Sequence, residues 1–235
     1  MAATDPSSFV VAGTRPWNRP AFERFVSRRP TGERWWFVAD PDELGGVLEA
    51  QDPRYVFFLH WSALVPASIT ERWECVCFHM ADVPYGRGGS PLQNLVLRGH
   101  TDTVLTALRM TDELDAGPVY AKRPLSLAGT AEAVYVRATE LSLELAGELV
   151  ATNPVPVPQE GEPVVFRRRR PAESELPGDL DLDRVVDFIR MLDADGYPRA
   201  FVTQGGLRLE LSAAARYADR VEARVVITVD DGGGG

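Results

Sequence analysis

The sequence has 235 residues, 45% of them hydrophobic, which suffices for one α/β domain with a packed core and a small appendage. Its formal net charge of −9 argues against nucleic acid as a partner, because proteins that bind phosphate backbones usually carry a basic patch. The N-terminus has no secretion-signal pattern, no apolar run approaches the roughly 20 residues that span a bilayer, and the two cysteines lie too close along one predicted strand for a disulfide. We therefore expect a cytoplasmic protein with no membrane partner.

Apolar runs alternate with helical patterns along the first part of the chain. Strands are predicted at residues 9–12, 35–38, 55–59, 75–79, 104–110 and 119–125. Helices are expected at 21–26, after the capping residue Asp40, and at 92–97. A longer helix should begin at Thr130, because apolar residues recur at steps of three and four from Val134 to Leu149. This alternation favours an α/β fold with a Rossmann-like, mostly parallel sheet.

A proline-rich stretch, residues 153–161, cannot continue the long helix and is expected to run extended. Beyond it, Asp181 precedes a predicted helix, and strands are predicted at 200–203, 207–211 and 225–229. These elements indicate a small α+β C-terminal subdomain. The expected division of the chain is a main domain at 1–152, a linker at 153–178, the subdomain at 179–231 and a disordered tail at 232–235.

Two stretches carry the residues suited to chemistry. His79 ends the fourth predicted strand, and open α/β sheets bind ligands at the carboxyl ends of their strands. Downstream, the polar and turn-rich residues 111–118 place Asp115 within reach of the same crevice. A His and an Asp on neighbouring loops form a candidate acid/base pair.

Both stretches resemble the folate-dependent formyltransferases. The first signature of that family reads Asn-x-His-Pro-Ser-Leu-Leu-Pro-x-Tyr-Arg-Gly, and His79, Pro84 and the pair Arg87-Gly88 follow its spacing. Residues 112–118 are similar to the family loop Asp-Glu-Leu-Asp-x-Gly-Pro, whose last Asp is catalytic. Weaker similarities at residues 11–14, 158–161 and 186–190 extend the resemblance over roughly residues 9–203.

The resemblance implies a formyltransferase-type fold and 10-formyltetrahydrofolate as the formyl donor. It also implies that His79 stabilises an oxyanion and that Asp115 assists proton transfer. No metal is expected. The residues expected to bind the acceptor or the donor are Arg87, Gly88, Asn94, Leu114 and Gly117.

The sequence departs from the family pattern in two respects. The part before His79 looks about one β-α unit shorter, and Cys77 stands where the family has Asn. That Asn donates to the oxyanion, and loss of such a donor costs on the order of 100-fold in rate or more. Either a backbone N–H, a water or a side chain such as Asn94 replaces the donor, or Cys77 itself carries an acyl group beside His79.

The expected acceptor is the amine of a small molecule, such as a nucleotide-linked amino sugar or a biosynthetic intermediate. Methionyl-tRNA is disfavoured because the chain is short and acidic, and the arginine run at residues 167–170 is interpreted as a solvated linker edge. Alternatives are hydrolysis of the formyl donor, transfer of another acyl or one-carbon group, and a non-catalytic binding module. The resemblance also suggests a homodimer formed through the C-terminal subdomain.

Overall fold

The computed structural model describes residues 5–61 and 63–230, so the tail expected at 232–235 lies outside the described residues. The strands are β1 (Asp5–Gly13), β2 (Arg34–Val38), β3 (Pro53–Leu59), β4 (Glu74–His79), β5 (Tyr85–Gly88), β6 (Asp102–Arg109), β7 (Val119–Ser126), β8 (Val164–Phe166), β9 (Ala200–Gln204), β10 (Leu207–Arg216) and β11 (Val221–Val229). The α-helices are α1 (Asn18–Val26), α2 (Pro41–Gln51), α3 (Ala67–Thr70), α4 (Pro91–Leu97), α5 (Ala131–Thr152) and α6 (Leu182–Arg190).

A six-stranded sheet with the order β2-β1-β3-β4-β6-β7 forms the centre of the fold. The first four of these strands in the order are parallel, whereas β6 runs antiparallel to β4. Strands β9, β10 and β11 form a separate antiparallel sheet. The predicted α/β class, with its mostly parallel sheet and its α+β C-terminal part, is therefore confirmed.

The predicted helix starts are confirmed by hydrogen bonds at the caps. The Asp40 carboxylate accepts from the Asp42 N–H at 2.9 Å, and the Asp181 carboxylate accepts from the Arg184 N–H at 2.8 Å. The Thr130 hydroxyl accepts from a backbone N–H in the first turn of α5. These caps satisfy N–H groups that have no partner inside the helix. Among the described residues, no helix has the length and apolar character needed to cross a bilayer.

The segment after His79, for which the sequence predicts no strand, contains β5, which pairs with β8. The Val164 N–H donates to the Pro84 carbonyl at 3.0 Å. Within β5, Gly86 and Gly88 have φ angles of 84° and 98°, which glycine adopts without steric cost. The pairing partner of β5 lies far along the chain, so no local pattern indicates this strand.

The described residues cluster into two compact units that interleave along the sequence. The first unit comprises the described residues within Met1–Arg87, Val104–Leu125 and Val136–Val165, and the second comprises those within Gly88–Thr103, Ser126–Tyr135 and Phe166–Gly235. The division expected from the sequence used contiguous segments instead. In the first unit, a core packs on one face of the sheet and includes Val10, Val38, Leu44, Leu48, Val56, Phe58 and Trp73.

Strand β11 in the second unit is an edge strand with exposed apolar side chains, and Ile227 and Val229 are 60% and 69% exposed. The Asp230 N–H donates to the Gly206 carbonyl at 2.9 Å. In an antiparallel pair, successive residues alternate in the direction of their backbone N–H and carbonyl groups. The even-numbered residues of β11 therefore hydrogen-bond to β10, and the odd-numbered residues direct these groups outward. The β11 strand of a second copy of the protein, paired antiparallel about Val225, would meet these outward groups. The homodimer expected from the sequence stays a prediction.

We expect Ile227→Lys to shift the protein from dimer to monomer, because the substitution places a charge in the apolar edge of β11. Sedimentation analysis at micromolar concentration measures the shift. Leu64→Lys is the matched control, since Leu64 is equally apolar and 93% exposed but lies in the other unit. A monomeric wild-type protein, or a dimer that survives Ile227→Lys, would contradict the prediction.

Candidate active site

His79 is the last residue of β4, in the first unit, and its side chain is 8% exposed. The apolar residues that precede it bury the strand, which fixes the position of the imidazole at the carboxyl end. His79 lies opposite Thr106 of the antiparallel neighbour β6. The sheet therefore fixes the position of His79 at the carboxyl end of β4, which is where ligands bind in open α/β folds.

Both ring nitrogens of His79 face hydrogen-bond acceptors. Nε2 lies 2.7 Å from the Gly86 carbonyl oxygen, which can only accept, so Nε2 carries a hydrogen in this arrangement. Nδ1 lies 3.4 Å from Oδ2 of Asp115, and that carboxylate is nearly buried as well. Two acceptors around one ring are satisfied together when the ring carries both protons. The geometry therefore orients the imidazole between these two acceptors and pairs it with the Asp115 side chain.

The loop at residues 112–118 presents Asp115 in a left-handed backbone conformation, with φ of 54°. Gly117 in the same loop packs directly against β6, and a Cβ atom there would lie 1.8 Å from the Arg109 carbonyl oxygen. The Arg109 N–H donates to the Pro118 carbonyl at 2.9 Å, which fastens the end of the loop to β6. Gly117 thus has a structural reason to be glycine, and its predicted role in ligand binding stays a prediction.

Gln159, in the proline-rich stretch after α5, links the Asp115 loop to the strand that follows His79. Its Nε2 donates to the carbonyl oxygens of Asp115 at 2.8 Å and of Gly117 at 2.7 Å. Its Oε1 accepts from Nε of Arg87 at 3.0 Å. The Arg87 guanidinium also lies 3.4 Å from the Glu113 carboxylate. Arg87, expected to bind a ligand, is thus already engaged within the protein.

Sequence reasoning did not single out Gln159 or the Gly86 carbonyl as part of the site. The one available signal for Gln159 was the similarity of residues 158–161 to the family linker. For a backbone carbonyl no residue type gives a signal, because every residue has one.

The remaining predicted binding residues differ in their settings. Leu114, at the tip of the Asp115 loop, is 69% exposed and offers an apolar surface. Gly88 and Asn94 belong to the second unit. The Asn94 amide donates to the carbonyl oxygens of Gly89, Ser90 and Arg167 at 3.0–3.1 Å. Its N–H groups are thereby used to hold a loop, and the structure gives no support to Asn94 as the replacement for the family Asn.

The Cys77 side chain projects from β4 on the same face as His79, as expected for positions two apart in a strand. Burial, reinforced by the nearby Asp115 carboxylate, raises the pKa of the Cys77 thiol far above its usual range. Burial likewise raises the pKa of Cys75 to about 12. Both cysteines are free thiols. A protonated thiol is a poor nucleophile, and this weighs against the Cys-His-Asp arrangement.

We expect Cys77 to react with iodoacetamide at about pH 8 much more slowly than free cysteine, whose thiol has a pKa near 8.5. The physical reason is the raised pKa of the thiol, which leaves almost no thiolate at that pH. Mass spectrometry of the timed reaction measures the rate, and the unfolded protein serves as the control. Alkylation of the folded protein at the rate of the unfolded one would contradict this prediction.

Comparison with known proteins agrees with the resemblance. Residues 171–228 match the C-terminal domain of methionyl-tRNA formyltransferase. The methionyl-tRNA formyltransferase of Gluconobacter oxydans (strain 621H) is 28% identical over 147 residues, an alignment that covers 61% of this chain and 47% of that protein. The chain thus spans about half the length of that relative.

Solved structures give the broader match. The structure titled methionyl-tRNA formyltransferase from Clostridium thermocellum is 40% identical, with a TM-score of 0.92, and the match covers 94% of this chain and 99% of that one. HypX from Aquifex aeolicus in complex with tetrahydrofolic acid is 17% identical, with a TM-score of 0.70, and the match covers 88% of this chain and 37% of that one. At that identity the HypX match shows the fold alone.

The sheet is mostly parallel, and its strand β4 ends at a buried His beside the Asp of an Asp-Glu-Leu-Asp-Ala-Gly-Pro loop. Together these features define a formyltransferase-type α/β protein. With the 40% identical match to the Clostridium thermocellum structure, the chain belongs to the formyltransferase family, which is a family of enzymes.

Proposed function

We propose that this protein is an N-formyltransferase that moves a formyl group from 10-formyltetrahydrofolate to the amine of a small molecule. The observation that carries the proposal is the buried His79–Asp115 pair, with 3.4 Å between Nδ1 and Oδ2, at the end of β4. Low exposure strengthens the electrostatic interaction between these two side chains, because water screens it less. His79 belongs to the first sequence signature and Asp115 to the second.

In the proposed reaction, the amine attacks the formyl carbon and the carbonyl oxygen becomes an oxyanion. His79 stabilises this negative charge with a hydrogen on Nδ1, which leaves its 3.4 Å contact with the Asp115 carboxylate and turns to the oxyanion. Asp115 takes the proton that the attacking nitrogen must lose. When the bond between the formyl carbon and the folate nitrogen breaks, that nitrogen receives a proton, so the proton lost by the amine balances the one gained by the leaving group.

One feature of the first unit and one comparison support a folate as the formyl donor. The exposed Leu114 provides an apolar contact beside Asp115, of the kind that flat aromatic rings require. The HypX structure of the same fold was solved with tetrahydrofolic acid. Leu114 would contact the ring system of such a donor, and the His79–Asp115 pair would act on its formyl group.

A small acceptor is supported by the charge of the protein. The net charge is −9, and the run of arginines at 167–170 is partly neutralised by Glu173. The Arg167 guanidinium forms an ion pair with the Glu173 carboxylate, and Arg169 donates to the Glu173 carbonyl. Side chains held in this way contribute less to a phosphate-binding surface. The names of the relatives make methionyl-tRNA the first competing acceptor to test.

The test begins with calorimetric titration of 5-formyltetrahydrofolate, a stable analogue of the donor, into wild type and Asp115→Asn. Micromolar binding to the wild type is the expected result, and no detectable binding would overturn the folate assignment. Donor consumption is then followed with a panel of small amines and with methionyl-tRNA. A formylated small amine supports the proposal, whereas formylated methionyl-tRNA, formate release without an amine, or binding without turnover would each overturn it.

A further inference from the structure

The contacts around His79 and Asp115 close into a ring that includes one residue from the proline-rich stretch. His79 bonds to the Gly86 carbonyl, and the next residue in the chain, Arg87, donates to Gln159. Gln159 donates to the Asp115 carbonyl, and the Asp115 carboxylate faces His79. Each member of the candidate acid/base pair is therefore connected to Gln159 by a separate path.

Backbone contacts hold Gln159 in place within the first unit. Two residues earlier, Val157 and Val119 exchange hydrogen bonds between their N–H and carbonyl groups, at 2.7 and 2.8 Å. Pro156 and Pro158 flank Val157 and restrict the backbone of this segment. The side chain of Gln159 thus extends from a fixed point, and it can transmit that position to the Asp115 loop.

The contacts require an amide at this position. Two hydrogens on Nε2 point to two carbonyl oxygens, and Oε1 accepts from a guanidinium. Among side chains of this length, only Gln provides two donors and one acceptor. An ionised Glu would keep the contact with Arg87 and would face the Asp115 and Gly117 carbonyls with an acceptor. A Met side chain has a similar length and would make none of these hydrogen bonds.

We propose that Gln159 is a positioning residue that sets the distance and orientation between His79 and Asp115. It does so by holding the Asp115 loop and the β5 strand with one amide group. The inference rests on the proposed function for its consequence in catalysis, but the geometry it describes exists without turnover. Misplacement of reacting groups by about 1 Å costs on the order of 100-fold in rate.

The test compares Gln159→Met, Gln159→Glu and the control Glu160→Gln with the wild type. Glu160 is adjacent and exposed, so its substitution alters charge without touching the ring of contacts. Gln159→Met is expected to lower kcat about 10- to 100-fold, with a much smaller change in the binding of 5-formyltetrahydrofolate. Gln159→Glu is expected to fall between Gln159→Met and the wild type if it keeps the Arg87 contact. Glu160→Gln should match the wild type.

A spectroscopic readout separates positioning from general loss of structure. The protein has three histidines, so NMR of the nitrogen-labelled imidazoles resolves His79, which is assigned with His79→Gln. The ring nitrogens of His79 are expected to shift in Gln159→Met while the other two histidines stay in place. Unchanged His79 signals with unchanged kcat, or shifts of all three histidines together with a lowered melting temperature, would overturn the inference.

The same readout distinguishes this inference from the proposed function. A wild-type protein with no formyl transfer, in which Gln159→Met still moves the His79 signals alone, would reject the function and retain the positioning role. Formyl transfer at the wild-type rate in Gln159→Met would retain the proposed function and reject the positioning role.

Discussion

Replacing Asp115 with Asn is expected to lower kcat for formyl transfer about 10²- to 10⁴-fold, the range typical for loss of a general acid or base. The substitution keeps the size of the side chain and removes the carboxylate that faces His79 at 3.4 Å. The His79 ring then loses the carboxylate that orients it, and the attacking amine loses its proton acceptor. Single-turnover kinetics with a saturating donor measures the chemical step directly.

Asp112→Asn is the matched control for this prediction. Asp112 lies in the same loop and is exposed, so the substitution removes the same formal charge three residues away. It should retain nearly full activity, because exposed charges interact weakly through water. Equal losses in the two variants would show that loop charge matters rather than the His79–Asp115 pair. Full activity in Asp115→Asn would remove Asp115 from the mechanism.

Gly117→Ala is expected to lower both the activity and the free energy of unfolding. The new methyl group would lie 1.8 Å from the Arg109 carbonyl oxygen and 3.0 Å from its carbon, so the loop must move away from β6. Overpacking of this kind costs about 1–3 kcal/mol. Because Asp115 is two residues away in the same loop, displacement by about 1 Å should also cost roughly 100-fold in kcat.

Gly45→Ala adds the same methyl group where no atom lies within 4 Å. Gly45 is inside α2, and Ala in a helix interior is more stable than Gly by about 0.5–1 kcal/mol. Urea denaturation of both variants should therefore show changes of opposite sign. A Gly117→Ala protein as stable and as active as the wild type would show that the loop relaxes at no cost.

The amino-acid sequence by itself determined the features that depend on neighbouring residues. Caps such as Asp40 and Asp181, and the apolar period of α5, specify helices through contacts within one or two turns. The buried run that ends at His79 specified β4, and the loop signature placed Asp115 near it. These local patterns were enough to indicate the fold class, the family and the pair at the candidate site.

The tertiary structure alone decided the features that join distant parts of the chain. The pairing of β5 with β8, the interleaved compact units, and the contacts of Gln159 with Arg87 and the Asp115 loop bring together residues far apart in sequence. The thiol of Cys77 has a raised pKa because of its burial and the nearby Asp115 carboxylate, neither of which a residue type reveals. Hydrogen bonding, burial and pKa depend on three-dimensional surroundings, and only folding supplies those.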